Sequence, residues 1–169
     1  TPTVDEYPLA LDPTLAFTAP GQSNTGSVIT GETSGAFGFS SVTGDFNMDG
    51  KLDLAVGSNN ASLQAGRAYI FYNDGSVSTT AATADVTITG ESGSTLGDCI
   101  AAGDLNTDGR TDLIVGAGSY SGFANTGRVY VFYNDGSIPT TAATADVIIT
   151  GENTSDDFAS TQGGPLVTG

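Results

Sequence analysis

One nine-residue pattern occurs twice in this chain, 59 residues apart, and it constrains the fold more than any other feature. Residues 45–53 and 104–112 both read D-x-N-x-D-G-x-x-D, with oxygen-bearing side chains at positions 1, 3, 5 and 9 and glycine at position 6. A longer unit surrounds each copy, because the sequence Ile-Thr-Gly-Glu at residues 29–32 returns at 88–91 and at 149–152. A period of this length predicts a repeat architecture.

Each repeat contains four short segments that are typical of β-strands. In the first repeat they cover residues 37–42, 52–56, 67–72 and 85–89, and an Asn-Asp-Gly-Ser turn follows the third segment. The second repeat shows the same series, with its third segment at residues 128–133. Four strands in about 60 residues predict a β-propeller blade, and they place the nine-residue pattern between the first two strands.

The pattern itself predicts a calcium site. Ca²⁺ takes six to eight oxygen ligands at about 2.3–2.6 Å from carboxylates, amides and backbone carbonyls. A polar hairpin loop is the alternative, but three carboxylates in nine residues repel one another and an ordinary turn does not need them. An EF-hand is excluded because position 12 is Val56 or Val115 instead of glutamate, and no helical period flanks the loops. The expected ligands are the side chains of Asp45, Asn47, Asp49 and Asp53 with the Lys51 carbonyl, and those of Asp104, Asn106, Asp108 and Asp112 with the Arg110 carbonyl.

Composition excludes several other classes of function. The formal net charge is −15 and the chain has only four basic residues, which are too few for a nucleic-acid-binding surface. They fall at equivalent places in the two repeats, which predicts local pairs with acidic groups. No apolar run approaches the length of a membrane-spanning helix, which is about 20 residues. The chain has no histidine, so we expect no Ser-His-Asp or Cys-His nucleophile and no enzyme activity. The single Cys99 is expected to be buried on a strand.

The order of these motifs resembles the FG-GAP repeat of integrin α-subunits and their bacterial relatives. The resemblance rests on Phe37-Gly38, on the loop pattern followed by Leu-Ala-Val-Gly at residues 54–57, and on the third-strand sequence after Gly66, and it covers about residues 28–158. It implies that each repeat is a propeller blade that binds Ca²⁺ between its first two strands. The second copy departs from the family pattern by having Leu96-Gly97 where the family has Phe-Gly.

These observations predict an all-β chain made of blades of four antiparallel strands. We expect an extended lead-in at residues 1–27, FG-GAP blades at 28–89 and 90–150, and a truncated third repeat at 151–169. Two blades do not close a ring, since propellers use about four to eight. We therefore expect association with other copies of the chain, head-to-tail in a ring or filament, or with further repeats of a longer chain.

The predicted function is that of a non-catalytic extracellular calcium-binding module for adhesion or structural assembly. An extracellular or cell-surface location is favoured because sites of this kind suit the millimolar calcium found outside cells. Two alternatives stay open. The chain is an accessory propeller fragment of a larger surface receptor or secreted enzyme, or it is a lectin-like carbohydrate binder. Protein or glycan ligands are compatible with all three.

Overall fold

The computed structural model describes residues 28–32, 35–120, 125–156 and 158–160. They form two four-stranded antiparallel sheets, in each of which the strand order follows the sequence. The first sheet contains β1 (Phe37–Gly44), β2 (Asp53–Ser58), β3 (Arg67–Phe71) and β4 (Val86–Thr89). The second contains β5 (Leu96–Gly103), β6 (Asp112–Ala117), β7 (Arg128–Phe132) and β8 (Val147–Thr150). The predicted all-β class with four-stranded, propeller-type blades is therefore confirmed.

Helical structure in the described residues is limited to short connections. A four-residue helical turn at Ala61–Gln64 joins β2 to β3, and 3₁₀ turns at Ala81–Thr83 and Ala142–Thr144 precede the outer strands. The sheets are open rather than closed into a barrel. The predicted lead-in at 1–27 lies outside the described residues, as does the end of the predicted third repeat after residue 160. Phe158 of that repeat pairs in parallel with Gly127.

A β-bulge at the start of each first strand explains the Phe-Gly element. The register of β5 against β6 shifts between Leu96 and Cys99, and Gly97 inside this bulge has φ +95°. A Cβ at Gly97 would lie 2.6 Å from the Arg67 carbonyl oxygen and 2.9 Å from the Ser58 nitrogen, so only glycine allows this approach between the two sheets.

Apolar side chains alternate along the strands and fill both faces of each sheet. On β3, Tyr69 and Phe71 pack into a layer on one face, while Ala68 and Ile70 pack between the two sheets. Leu96, which takes the place of Phe37, is fully buried in this shared layer. The departure from Phe-Gly therefore keeps an apolar anchor. The shared layer consists of Phe46, Ala55, Ala68, Ile70 and Ile88 from the first blade and Leu96, Ile100, Leu113, Val115, Ala117, Tyr130, Phe132, Ile138 and Ala142 from the second.

Three of the four basic residues pair with acidic groups, as the sequence predicted. Arg67 contacts Glu32, and Arg128 contacts Glu91 at 2.7 Å, so each third strand is tied to the start of its own repeat. The Arg128 guanidinium also lies 3.3 Å from the centre of the Tyr120 ring. These contacts give the arginines a role within the repeat.

A polar contact also joins the two sheets at the edge that carries the β2–β3 loop. The Asn59 side-chain amide donates to Asp98 Oδ1 at 2.7 Å. The other oxygen of this buried carboxylate accepts from the Thr95 hydroxyl and from the Gly118 N–H, both at 2.9 Å. Asp98 is thus satisfied by neutral donors from both blades.

Candidate metal centre

Both nine-residue patterns lie where the sequence placed them, at the connection between the first two strands of a sheet. Position 9 is the first residue of the second strand, and it pairs with the last residue of the first strand: Asp53 with Gly44, and Asp112 with Gly103. The pairing of the two strands therefore closes the loop at its base. The remaining loop residues project from the same edge of both sheets.

The first loop folds around the N–H groups of its central residues. Asp45 Oδ1 and Asn47 Oδ1 both accept a hydrogen bond from the Asp49 N–H, at 3.1 and 3.0 Å. Asp45 Oδ2 accepts from the Gly50 N–H at 2.9 Å, and Asp49 Oδ1 accepts from the Lys51 N–H at 2.9 Å. The side chains at positions 1 and 3 thus converge on the same side of the loop.

The second loop repeats these contacts. Asp104 Oδ1 and Asn106 Oδ1 share the Asp108 N–H at 3.1 and 3.0 Å. Asp104 Oδ2 accepts from the Gly109 N–H at 2.9 Å, and Asp108 Oδ1 accepts from the Arg110 N–H at 2.9 Å. The four shared bonds have the same lengths in the two loops, although Met48 and Thr107 at position 4 differ in character.

The aspartate at position 9 is fully buried in both loops. Asp53 Oδ2 accepts from the Phe46 N–H at 2.8 Å, and its Oδ1 accepts from the Asn73 N–H at 2.8 Å. Asp112 makes the equivalent bonds to the Leu105 and Asn134 N–H groups, at 2.8 and 2.9 Å. This residue therefore links its loop to the β3–β4 or β7–β8 connection of the same blade.

Left-handed backbone at two positions shapes each loop. Gly50 and Gly109 have φ +81° and +84°, which explains the glycine at position 6. Met48 and Thr107 at position 4 also have positive φ, +63° and +62°. The sequence does not indicate this second left-handed position, because neither methionine nor threonine is a residue type that signals such a conformation.

The two loops differ in their basic residue at position 7. The Lys51 ammonium donates to Asp49 Oδ2 at 2.9 Å and to the Asn73 carbonyl at 3.1 Å. The hydrogen bond from the Lys51 side chain lowers the pKa of Asp49. Arg110 makes no ion pair with any residue the structure describes, and Asp108 Oδ2 accepts from the Asn106 side-chain amide at 3.1 Å instead. Only the first loop therefore carries an internal cation on its position-5 carboxylate.

The chemistry of the donor set fits a hard cation. Each loop offers three carboxylates, one amide oxygen and one backbone carbonyl, which are oxygen ligands of the kind Ca²⁺ takes. A carboxylate oxygen that accepts one N–H keeps further acceptor capacity, so the bonds described above do not exhaust these side chains. Among the described residues, however, no group of three or more His, Cys, Asp or Glu side chains is arranged to hold a metal ion. The calcium site at these ten residues therefore stays a prediction.

A cavity of about 240 Å³ opens beside the first loop, between the two blades. Residues 46–48 and Tyr72 of the first blade line this cavity, together with residues 134, 136 and 137 of the second blade. Its polar lining includes the buried Asn134, whose side-chain amide donates to the Phe46 carbonyl at 2.8 Å. The first loop thus contacts the second blade directly.

Comparison with known families assigns the repeat type. The FG-GAP-like repeat family matches residues 45–115, and the FG-GAP repeat family matches residues 100–132. Both matches include loop residues and strands described above. Within residues 45–132 the chain therefore matches FG-GAP-type repeats, and the structure folds this part as propeller-type blades.

Two curated proteins show what these repeats are similar to. The chain is 36% identical over 121 residues to phosphatidylinositol-glycan-specific phospholipase D of Dictyostelium discoideum, a match that covers 65% of this chain and 13% of that protein. It is 36% identical over 105 residues to integrin alpha-4 of Xenopus laevis, covering 59% of this chain and 9% of that protein. The chain therefore spans about a tenth of the length of each relative. In the part of the chain that is described, no helix has the length and apolar character needed to cross a membrane.

Proposed function

We propose that this chain is a non-catalytic, calcium-binding FG-GAP module of an extracellular or cell-surface protein, and that it serves adhesion or structural assembly. The observation that carries the proposal is the matched conformation of the two loops. Two sequences that differ at positions 2, 4, 7 and 8 turn the same side-chain oxygens toward the same N–H groups. An ordinary turn would not require three carboxylates at the same three places in both copies.

The ion would be held by the residues named from the sequence. In the first loop these are the side chains of Asp45, Asn47, Asp49 and Asp53 and the Lys51 carbonyl. In the second they are the side chains of Asp104, Asn106, Asp108 and Asp112 and the Arg110 carbonyl. When bound, Ca²⁺ supplies the positive charge that offsets the repulsion among the three carboxylates of a loop. The role is structural, because the same set occurs once in each blade.

Calcium binding is tested by calorimetry and thermal unfolding. We expect two Ca²⁺ per chain, and each site at a hundredfold excess over its Kd adds about 2.7 kcal/mol to the free energy of unfolding. Chelation should therefore lower the Tm by roughly 5–10 °C per site for a domain of this size. Asp49→Ala and Asp108→Ala should each reduce the stoichiometry to one.

Asp74→Ala, which removes an exposed carboxylate outside the loops, is the matched control and should still bind two ions. Magnesium should substitute poorly because it demands near-octahedral geometry and gives up its waters reluctantly. A melting curve that is the same in calcium and in chelator would reject the structural role.

Assembly is proposed from the apolar surface of the second blade. Ile88 on β4 is fully buried against the second blade, whereas the equivalent Ile149 on β8 is 47% exposed. We propose that this surface receives a further FG-GAP repeat, either from another copy in a head-to-tail contact or from a longer chain. Small-angle scattering of the 169-residue chain in calcium tests the first arrangement, which predicts a mass above that of one chain.

A second candidate is an accessory repeat pair in a larger surface receptor or secreted enzyme. It is favoured by the relatives, of which one is an integrin alpha subunit and the other a phospholipase D, and of which the matched segments cover only 9% and 13%. A compact monomer in calcium that still binds two ions would favour this candidate over self-assembly.

A further inference from the structure

A continuous hydrogen-bond chain connects the two loops across the blade interface. It begins at Asp53, whose Oδ2 accepts from the Phe46 N–H at 2.8 Å and from the Asn47 N–H at 3.3 Å. The Phe46 carbonyl accepts from the Asn134 side-chain amide at 2.8 Å. The Asn134 backbone N–H then donates to Asp112 Oδ1 at 2.9 Å. The chain thus runs from position 9 of one loop to position 9 of the other.

The geometry of the peptide between Phe46 and Asn47 makes this series of hydrogen bonds stiff. Its N–H points to Asp53 and its C=O points to Asn134, so the two blades hold the same planar unit from opposite sides. Movement of the Asp53 carboxylate changes the orientation of this unit, and hence of the carbonyl that Asn134 binds.

Burial makes this series of hydrogen bonds costly to break. Asp53 and Asp112 are fully buried, and Phe46 and Asn134 are almost as inaccessible. A buried donor or acceptor that loses its partner has no water to replace it, so a displacement of one of these four groups that is not followed by its partner is costly.

We propose that Asn134 couples calcium binding at the two loops, so that an ion in one loop raises the affinity of the other. The inference rests on the proposed calcium-binding function and adds to it a positioning residue that ligates neither ion. Ordering of Asp112 by an ion fixes the Asn134 backbone, its side chain fixes the Phe46–Asn47 peptide, and that peptide fixes Asp53. The effect is reciprocal by thermodynamic necessity, and we expect it to be about fivefold in affinity.

The repeat supplies its own control for this proposal. Asn73 is the equivalent of Asn134 in the first blade, and its backbone N–H holds Asp53 in the same way. Its side chain, however, makes no hydrogen bond to any residue the structure describes. Replacement of the Asn73 side chain leaves that backbone N–H in place and should leave the coupling unchanged.

The test is a double-mutant cycle followed by calcium calorimetry. Asp108→Asn disables the second loop, and the affinity of the first loop is then measured. We expect a decrease of about fivefold in the wild-type background, no decrease in the Asn134→Ala background, and the full decrease in the Asn73→Ala background.

A spectroscopic readout does not require Asn134→Ala to fold. In an Asp49→Asn variant, where calcium fills the second loop alone, the amide resonances of Phe46 and Asn47 should shift as that loop titrates. Independent binding by the two loops, unmoved Phe46 and Asn47 amides, or a decrease that persists in Asn134→Ala would each overturn the inference while leaving two calcium sites. Failure of the wild-type chain to bind calcium would overturn the proposed function and the inference together.

Discussion

The two loops have almost the same local conformation in different surroundings. At position 2, Phe46 is 3% exposed in the layer between the blades, whereas Leu105 is 40% exposed. The Phe46 carbonyl accepts a hydrogen bond from Asn134 of the next blade. In the first loop the Lys51 ammonium binds Asp49 Oδ2, whereas the equivalent Asp108 Oδ2 has no basic partner among the described residues. The comparison shows that the same nine-residue pattern adopts the same conformation in both blades, whereas the neighbouring blade determines which further contacts the loop makes.

The largest difference between the loops should appear in their position-2 side chains. Phe46→Ala removes a ring from the shared apolar layer and should lower the free energy of unfolding by about 3–5 kcal/mol. Leu105→Ala, the matched change at a partly exposed site, should cost less than about 1 kcal/mol. Denaturant unfolding measures both. Similar losses would show that the second loop is as well covered as the first.

Cys99 tests how well the free face of the second blade is closed. It takes the place of Ser40, and its thiol donates to the Ala159 carbonyl at 3.0 Å, much as the Ser40 hydroxyl donates to Gly97 across the blade interface. Burial, with a smaller effect of the nearby Asp98 charge, raises the pKa of this thiol from 9.0 to about 11. At pH 8 the thiolate fraction, and with it alkylation, should be lower than for an unperturbed cysteine by about a hundredfold.

The same pKa predicts a loss of stability at high pH. The unfolded thiol ionises near pH 9 while the folded one keeps its proton until about pH 11, so the unfolded state binds fewer protons in this window. The contribution of Cys99 is complete below pH 9 and is lost as the pH rises toward 11. Cys99→Ser should remove this dependence from the unfolding curve. Rapid labelling at pH 8 would instead indicate that residues 158–160 do not cover this face.

A smaller effect is expected at the opposite edge of the interface, where the blades meet through Asn59. Asn59→Ala leaves Asp98 Oδ1 without this donor and should lower the free energy of unfolding by about 2 kcal/mol, since the acceptor is a buried carboxylate. Asn60→Ala, at the exposed neighbouring residue, should change it by less than about 0.5 kcal/mol. Equal losses would mean that the β2–β3 loop itself, and not its bond to the second blade, is responsible.

The smallest effect should come from position 7. Lys51→Ala frees an Asp49 oxygen and should raise the calcium affinity of the first loop by no more than about fivefold, because an ion pair exposed to water contributes little. Arg110→Ala should leave the second loop nearly unchanged. Calorimetry on both variants checks this. A weaker first loop in Lys51→Ala would show that the ammonium supports the loop instead of competing for it.

Much of the fold could be predicted because the repeat carries its own local signals. The strand segments and the loop between the first two strands follow from residue type and spacing, whereas the bulge at Phe-Gly was found only in the structure. The hydrogen bond between Asn134 and Phe46 could not be predicted, since its partners lie 88 residues apart. The recurrence of asparagine at positions 73 and 134 was visible in the sequence. Among the described residues, however, the Asn134 side chain finds a partner and the Asn73 side chain does not, because a neighbouring blade lies beside only the first of them.

The sequence by itself determined the blade and the loop. Alternating apolar residues specify a sheet that is buried on both faces, glycine at position 6 allows left-handed backbone, and side-chain oxygens at alternate positions can reach the loop N–H groups. Only the tertiary structure decided which copies of these elements are covered. Phe46 and Ile88 are buried and Leu105 and Ile149 are partly exposed because the second blade packs on one side of the first, and burial depends on neighbours that local sequence does not encode.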